Sequence, residues 1–301
     1  MKIANSPVTA HTFNGRQFYL KRDDMLHRHF SGNKARKFAS LLASENPTIE
    51  TLISYGSAQA NSLYSLAALA YLKNWQLEFY VDRIPAWLEE KPIGNYRGAM
   101  DLGAKIIPVS KLENVSHLHP KDYIVHHRKP NESCLFVPEG GYSEVAEYGI
   151  KQLADEILKW QQQESIRNLA VALPSGTGTT AAFLAKFLAP CGIEVLTCPC
   201  VGGKEYLIDQ ISKLLNEAPL PRILELESKH HFGKLYQQDY DIWRELKEQT
   251  KVEFDLLYDP MMWRCLEPWL QTHQDVELLY IHQGGILGNQ SMLPRYQRKY
   301  P

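Results

Sequence analysis

The first residue in this chain with the means to do chemistry is a lysine at a helix start. Lys34 stands in Phe30-Ser-Gly-Asn-Lys-Ala-Arg-Lys37, after a Ser-Gly-Asn entry and at the head of an apolar periodicity. The positive end of a helix and the neighbouring Arg36 and Lys37 both disfavour an ammonium. The amine is therefore biased toward the neutral form that attacks a carbonyl to give a Schiff base. The plain alternative is a surface lysine on a basic helix start. The second candidate is Ser175-Gly176-Thr177-Gly178-Thr179-Thr180, which follows the apolar run Leu169-Ala-Val-Ala-Leu. Glycines let backbone approach a ligand closely, and free N–H groups at a helix start bind phosphate. A turn needed only for packing would read the same way.

That loop also matches G-x-G-x-x-A through Gly176, Gly178 and Ala181, a dinucleotide fingerprint. The fingerprint calls for an acidic residue at the end of the next strand. Here Glu194 falls near the strand's start and the strand ends in Cys198-Pro-Cys200, which weakens the dinucleotide reading. A third loop, Ser54-Tyr-Gly-Ser-Ala-Gln-Ala-Asn61, presents Ser57, Gln59 and Asn61 to a carboxylate or a phenolic oxygen, or else is a connection with an asparagine cap. Pro138-Glu-Gly-Gly-Tyr142 and Ile281-His-Gln-Gly-Gly285 add two double-glycine turns near the ends of apolar runs. Ligands of parallel α/β sheets collect at the carboxyl ends of strands, so these loops outline a cleft.

The elements that must position these residues alternate between strand and helix. Strands are expected at 16–21, 51–55, 77–81, 105–109, 169–173, 192–196, 255–258 and 277–282. Helices are expected at 33–43, 62–73, 95–102, 143–161 and 181–188, with Gly103 suited to a left-handed helix end. This order predicts an α/β fold with parallel sheets covered by helices on both faces. The polar stretch 111–133, with His117, His119, His126 and His127, reads as a loop.

Composition narrows the function classes. Lys and Arg number 33 against 34 Asp and Glu, so nothing in the overall charge draws the chain to nucleic acid or a membrane surface. The N-terminus lacks the apolar stretch of a signal peptide, and no apolar run is long enough to cross a bilayer. Cysteines 134, 191, 198, 200 and 265 are odd in number and lack zinc-finger spacing, so reduced thiols in a cytoplasmic protein, with no metal, are expected.

Taken together, the motifs resemble those of a known family. Tyr19-Leu-Lys-Arg-Asp-Asp24 with Ser31-Gly-Asn-Lys-Ala-Arg-Lys37 is similar to the KRDD…GGNKxRK signature of the pyridoxal-phosphate enzymes related to 1-aminocyclopropane-1-carboxylate deaminase and D-cysteine desulfhydrase. These belong to the tryptophan-synthase-β-like group, fold type II. Gly56–Asn61, Gly94-Asn95 with Leu102-Gly-Ala104, Pro138–Gly141, Ser175–Thr179 and His282–Gly285 follow in the family's order. The resemblance implies pyridoxal 5'-phosphate as cofactor and a lyase, deaminase or hydrolase acting on a small amino acid. It also implies a homodimer with two α/β domains, residues 45–155 forming the smaller one inserted into a larger one made of 1–44 and 156–301. Lys34 would hold the cofactor as a Schiff base and move protons at the substrate α-carbon. Asn61 would bond the phenolic oxygen, Ser175, Gly176, Thr177, Gly178 and Thr179 would bind the phosphate, and Ser57, Gln59 and Ala60 would face the substrate.

Three positions depart from the family pattern. Ala60 replaces its serine, Met262 falls at the tyrosine of its DPVY, and Gln283 replaces the threonine of its HTGG, a position that can approach the pyridine nitrogen. Ala60 and Met262 remove two hydroxyls that would act on the substrate, with Ser57, Ser62 or Tyr258 as substitutes. The other readings open at this point are a cofactor-binding protein without catalysis and a dinucleotide-dependent enzyme.

Overall fold

The computed structural model describes residues 3–215 and 218–301. Among these residues ten strands form two sheets. The larger contains β1 (Val8–Phe13), β2 (Arg16–Lys21), β7 (Leu169–Ser175), β8 (Glu194–Pro199), β9 (Arg222–Ile223) and β10 (Glu277–Ile281), in the order β1-β2-β10-β7-β8-β9. Only β1 runs antiparallel to its neighbour. The smaller is wholly parallel, with β3 (Thr51–Tyr55), β4 (Gln76–Val81), β5 (Lys105–Pro108) and β6 (Cys134–Phe136) in the order β5-β4-β3-β6.

The period of two in β7 decides how the larger sheet is covered. Leu169, Val171 and Leu173 face a core with the helices Glu147–Gln163 and Thr179–Leu188, while Ala170 and Ala172 face a second core with the helices Gln237–Thr250 and Asp259–Thr272. The smaller sheet is likewise apolar on both faces, with Leu52, Phe79 and Val81 on one and Ile53, Tyr55 and Tyr80 on the other.

Ala35, Phe38 and Leu42 pack with the smaller sheet's core, whereas Ile150, Leu153, Ala154 and Ile157 pack with the larger one.

Several local expectations change. The helix over 33–43 is two helices, Gly32–Lys37 and Ala39–Ala43, broken at Phe38. The stretch 111–133 contains a short helix at Pro120–Tyr123 followed by a π turn at Ile124–Arg128. Asp255–Tyr258 is a turn rather than a strand. Asp255 Oδ1 accepts from the N–H groups of Leu257 (2.7 Å) and Tyr258 (3.1 Å), and Pro260 then opens the helix Asp259–Thr272. The apolar Leu-Leu-Tyr suggested a strand, but the Asp-x-x-x-Asp-Pro frame around it is a helix start. All five cysteines are free thiols, and no helix among the described residues is long and apolar enough to cross a membrane.

Candidate active site

The carboxyl ends of β2, β3, β6, β7 and β10 bring the sequence-derived loops together. Gly32 makes the closest join. Its φ is +67°, and a Cβ there would stand 1.9 Å from the Gln283 carbonyl oxygen, so only glycine allows the two backbones to approach. The Asn33 N–H then donates to that carbonyl at 3.1 Å. The Gln283 side chain spans the gap as a strut, accepting from Asn33 Nδ2 at 2.8 Å and donating to the Pro174 carbonyl at 2.6 Å. Lys34, the start of the Ser175–Thr180 loop and the His282–Gly285 turn are thereby locked to one another.

The helix that carries Lys34 is anchored by a buried ion network. Arg36 pairs with both Asp23 (2.8 Å) and Glu156 (2.6 Å), and Lys21 reaches Glu156 at 2.6 Å. Ser6 Oγ donates to Asp23. These partners hold the Glu156 carboxyl down to about 2. A Cβ on Gly149 would meet the Arg36 carbonyl oxygen at 1.9 Å, so the helix Glu147–Gln163 lies directly against this turn. Arg36 is therefore neutralised and does not depress Lys34. Burial does that, pushing the Lys34 amine down to about 8, while Asp255 opposes the shift.

Lys37 points at the phosphate-loop candidate, and the sequence reading treated it only as background charge. Its Nζ donates to the Gly140 carbonyl at 3.1 Å and lies 3.4 Å from Thr177 Oγ1. Burial and the nearby Lys34 push it well below the ordinary lysine value. In the loop itself, Gly178 has φ +75°, and a Cβ there would clash with Leu207 and Ile211. The helix from Thr179 starts with no side chain capping its N–H groups. Thr177 and Thr179 bond each other through their hydroxyls (3.0 Å), Ser175 Oγ is taken by Thr197 (2.7 Å), and the buried Thr180 Oγ1 has no partner among the described residues. Uncapped helix N–H groups beside a desolvated ammonium make an anion site. β8 ends in the buried Cys198-Pro199-Cys200, with no acid for a ribose at that place.

From the smaller sheet come Ser57, exposed, and Gln59 and Ala60, half-buried. Asn61 is not a cap: Ala60 precedes the helix Asn61–Lys73, and the Asn61 side chain turns across the cleft. It donates to Asp255 Oδ2 at 3.0 Å and accepts from Asn95 Nδ2 at 2.7 Å. A Cβ on Gly285 would stand within 2.4 Å of Asn61 Nδ2 and 2.6 Å of Asp255 Oδ2. Tyr258 lies over Gly176, its hydroxyl 3.7 Å from where a Cβ on that glycine would be, and it packs on Phe232. Met262 is instead fully buried in the larger core. A cavity of about 330 Å³ adjoins Ser57 and Gln59 and is bounded also by Tyr55, Arg83, His119 and Glu139.

Sequence reading missed Asp255, Asn95 and the direct role of Lys37. For Lys37 a signal was present, since Lys34 and Lys37 lie three apart and share a helix face. Asn95 stood in a recognised Gly-Asn motif but without a role, and Asp255 carries no local signature; both meet Asn61 only through the fold.

No family model matches the chain. It is 23% identical over 296 residues to a putative 1-aminocyclopropane-1-carboxylate deaminase of Thermotoga maritima, covering 91% of this chain and 90% of that protein. It is 22% identical over 326 residues to the bifunctional D-cysteine desulfhydrase/1-aminocyclopropane-1-carboxylate deaminase of Arabidopsis thaliana, a mitochondrial protein, covering 95% and 78%. Among solved structures, a 1-aminocyclopropane-1-carboxylate deaminase homologue superposes with TM-score 0.77 at 19% identity, covering 99% of this chain and 95% of that one. A pyridoxal 5'-phosphate-dependent aspartate racemase superposes with TM-score 0.60 at 11% identity, covering 93% and 90%. The fold is that of the tryptophan-synthase-β-like, fold type II group.

Proposed function

We propose that this chain, which resembles the 1-aminocyclopropane-1-carboxylate deaminase and D-cysteine desulfhydrase family over most of its length, is a pyridoxal-phosphate-dependent lyase or deaminase of small amino acids. The observation that carries this reading is the meeting of a desolvated lysine, Lys34, with an uncapped helix start flanked by a second desolvated lysine, Lys37. This donor set suits a small anionic aldehyde. The amine takes the carbonyl carbon, and the N–H groups of Gly176–Thr180 with Lys37 take the phosphate. Bound there, pyridoxal phosphate supplies an electron sink for charge developing at a substrate α-carbon.

The chain's own residues do the rest. Burial brings the Lys34 amine down to about 8, so a useful share of it is unprotonated near neutral pH and can accept a proton from the α-carbon and return it. Asn61 keeps one N–H available for the cofactor's phenolic oxygen. Ser57, Gln59 and the backbone around Ala60 face the substrate carboxylate. Tyr258 offers a hydroxyl in the cleft where Met262 does not. The division into a smaller unit over 45–155 and a larger remainder, a homodimer and a cytoplasmic location belong to the same proposal; sedimentation equilibrium checks the dimer.

Titrating the protein with pyridoxal phosphate tests the reading. A yellow, lysine-linked absorption band should form in the wild type and be lost in Lys34→Ala. Across a panel of D- and L-amino acids, the loaded enzyme should exchange an α-hydrogen with deuterated water and release ammonia or sulfide. A loaded protein that exchanges none would be a binder without catalysis, and a protein that never takes up the cofactor would refute both readings.

A further inference from the structure

The amide of Asn61 has only one orientation that satisfies its neighbours, and Asp255 completes it. The Gln59 backbone carbonyl is unambiguous, because it can only accept. Asn95 Nδ2 lies 3.0 Å from it, so the Asn95 nitrogen must face that way. The same nitrogen lies 2.7 Å from Asn61 Oδ1, which fixes the oxygen of Asn61 on that side. Asn61 Nδ2 therefore points at Asp255 Oδ2, 3.0 Å away. Gly285 leaves the contact open, since a Cβ there would collide with both groups. One proton of Asn61 Nδ2 serves Asp255 and the other is free.

Asp255 has two separable jobs. Oδ1 caps the turn at Leu257 and Tyr258, and Oδ2 meets Asn61. The charged and titratable groups facing this acid and its lysine neighbour are Lys34, Lys37, Asp259 and Tyr258. Asp259 is engaged elsewhere, accepting from the Asp255 N–H (2.8 Å) and the Tyr280 hydroxyl (2.6 Å). Among the described residues, Lys34 Nζ has one long contact, to Asn33 Oδ1 at 3.4 Å. We propose that Asp255 is a positioning residue for this end of the cleft: its Oδ2 holds the Asn61 amide with a free donor turned to the cofactor position, and its charge, set against Gly285 while Gly284 packs on Gly32, acts on Lys34 across that turn without a direct ion pair. The proposal rests on the functional reading above for the cofactor, and on the chain's own contacts for the rest. The opposing shifts of the two groups, the Asp255 carboxyl raised to about 6 and the Lys34 amine lowered to about 8, leave a window in which both are charged.

Asp255→Asn separates the two jobs. Its amide oxygen still caps the turn, but the charge is gone and an NH2 now faces the NH2 of Asn61. Asp255→Ser is a second variant, keeping a hydroxyl oxygen for the cap. The first readout needs no cofactor: the pH dependence of Lys34 acetylation by trace acetic anhydride on the cofactor-free full chain, quantified by mass spectrometry. The midpoint for Lys34 should fall by about one pH unit or more in either folded variant. An unchanged or raised midpoint in a variant with native circular dichroism overturns the proposal. The second readout is the pH at which the absorption band of the pyridoxal-phosphate-loaded protein changes, which should fall in the same direction. A wild type that binds no pyridoxal phosphate would sink the functional reading and leave the labelling result standing. A wild type that binds it, with labelling midpoints equal in wild type and variant, would sink only the present inference.

Discussion

One short helix, Gly32–Lys37, carries two kinds of cation, and the contrast between them separates scaffold from site. Arg36 is fully buried but matched, with two carboxylates, Asp23 and Glu156, around one guanidinium. Burial leaves its charge in place, because the guanidinium makes four hydrogen bonds to these two carboxylates, and Glu156 is driven down to about 2 in return. Lys34 and Lys37, two residues to the N-terminal side and one to the C-terminal side, are desolvated with far less opposing charge, and both shift toward the neutral amine. The chain thus fixes a helix with ions that cannot change state and displays from it two amines that can. Perturbation of this kind, without full pairing, is a mark of functional sites.

The sharpest way to break the comparison is to exchange the roles. Lys34→Ala should abolish turnover and cofactor linkage while leaving the fold intact by circular dichroism. Glu156→Gln should leave Arg36 and Lys21 short of a carboxylate in a buried place, costing about 3–5 kcal/mol of stability in a urea melt. Lys37→Gln should leave the fold and the Lys34 adduct but weaken pyridoxal phosphate binding by about tenfold to a hundredfold, as expected for loss of a charge-assisted contact of roughly 1.5–3 kcal/mol. Calorimetric titration reads that loss.

The scaffold and the site should also contribute to stability with opposite sign, in separate pH windows. The folded-state value of Glu156 lies below its ordinary 4.5, so its contribution is present above about pH 4.5 and lost as pH falls toward 2. Lys34 is lowered from 10.5 to about 8, so the unfolded chain holds the proton more tightly and folding is opposed at neutral pH. Lys34→Met should therefore make the cofactor-free chain more stable than wild type at pH 7, by about 1–3 kcal/mol. That advantage should shrink as pH rises from 8 to 10. Denaturant melts across pH check both slopes, and a destabilised Lys34→Met would contradict the picture of an under-paired amine.

Much of this was legible in the sequence, and what was not has physical causes. The alternating elements, the loops at strand ends and Lys34 itself announce themselves through periodicity and glycine placement, which are local properties. The break at Phe38 is invisible to a pattern in which Ala35, Phe38 and Leu42 keep one helical face. Asp255–Tyr258 misled because three apolar residues fit a strand as well as a turn, and the capping aspartate outweighs them only once its N–H partners are known. The neutralisation of Arg36 depends on Glu156, 120 residues away in sequence, and the orientation of Asn61 on Asn95 and Asp255. Gln283 was read by analogy with the threonine it replaces, and the tie its longer amide makes between Asn33 and Pro174 depends on partners far away in sequence.

The central claim is that Lys34, and not its neighbour Lys37, is the amine that captures the cofactor. Loading the protein with pyridoxal phosphate, reducing with borohydride and sequencing the modified peptide by mass spectrometry addresses it directly. A single phosphopyridoxyl group on Lys34 is the expected result. Modification on Lys37 alone, spread over surface lysines, or absent would contradict it.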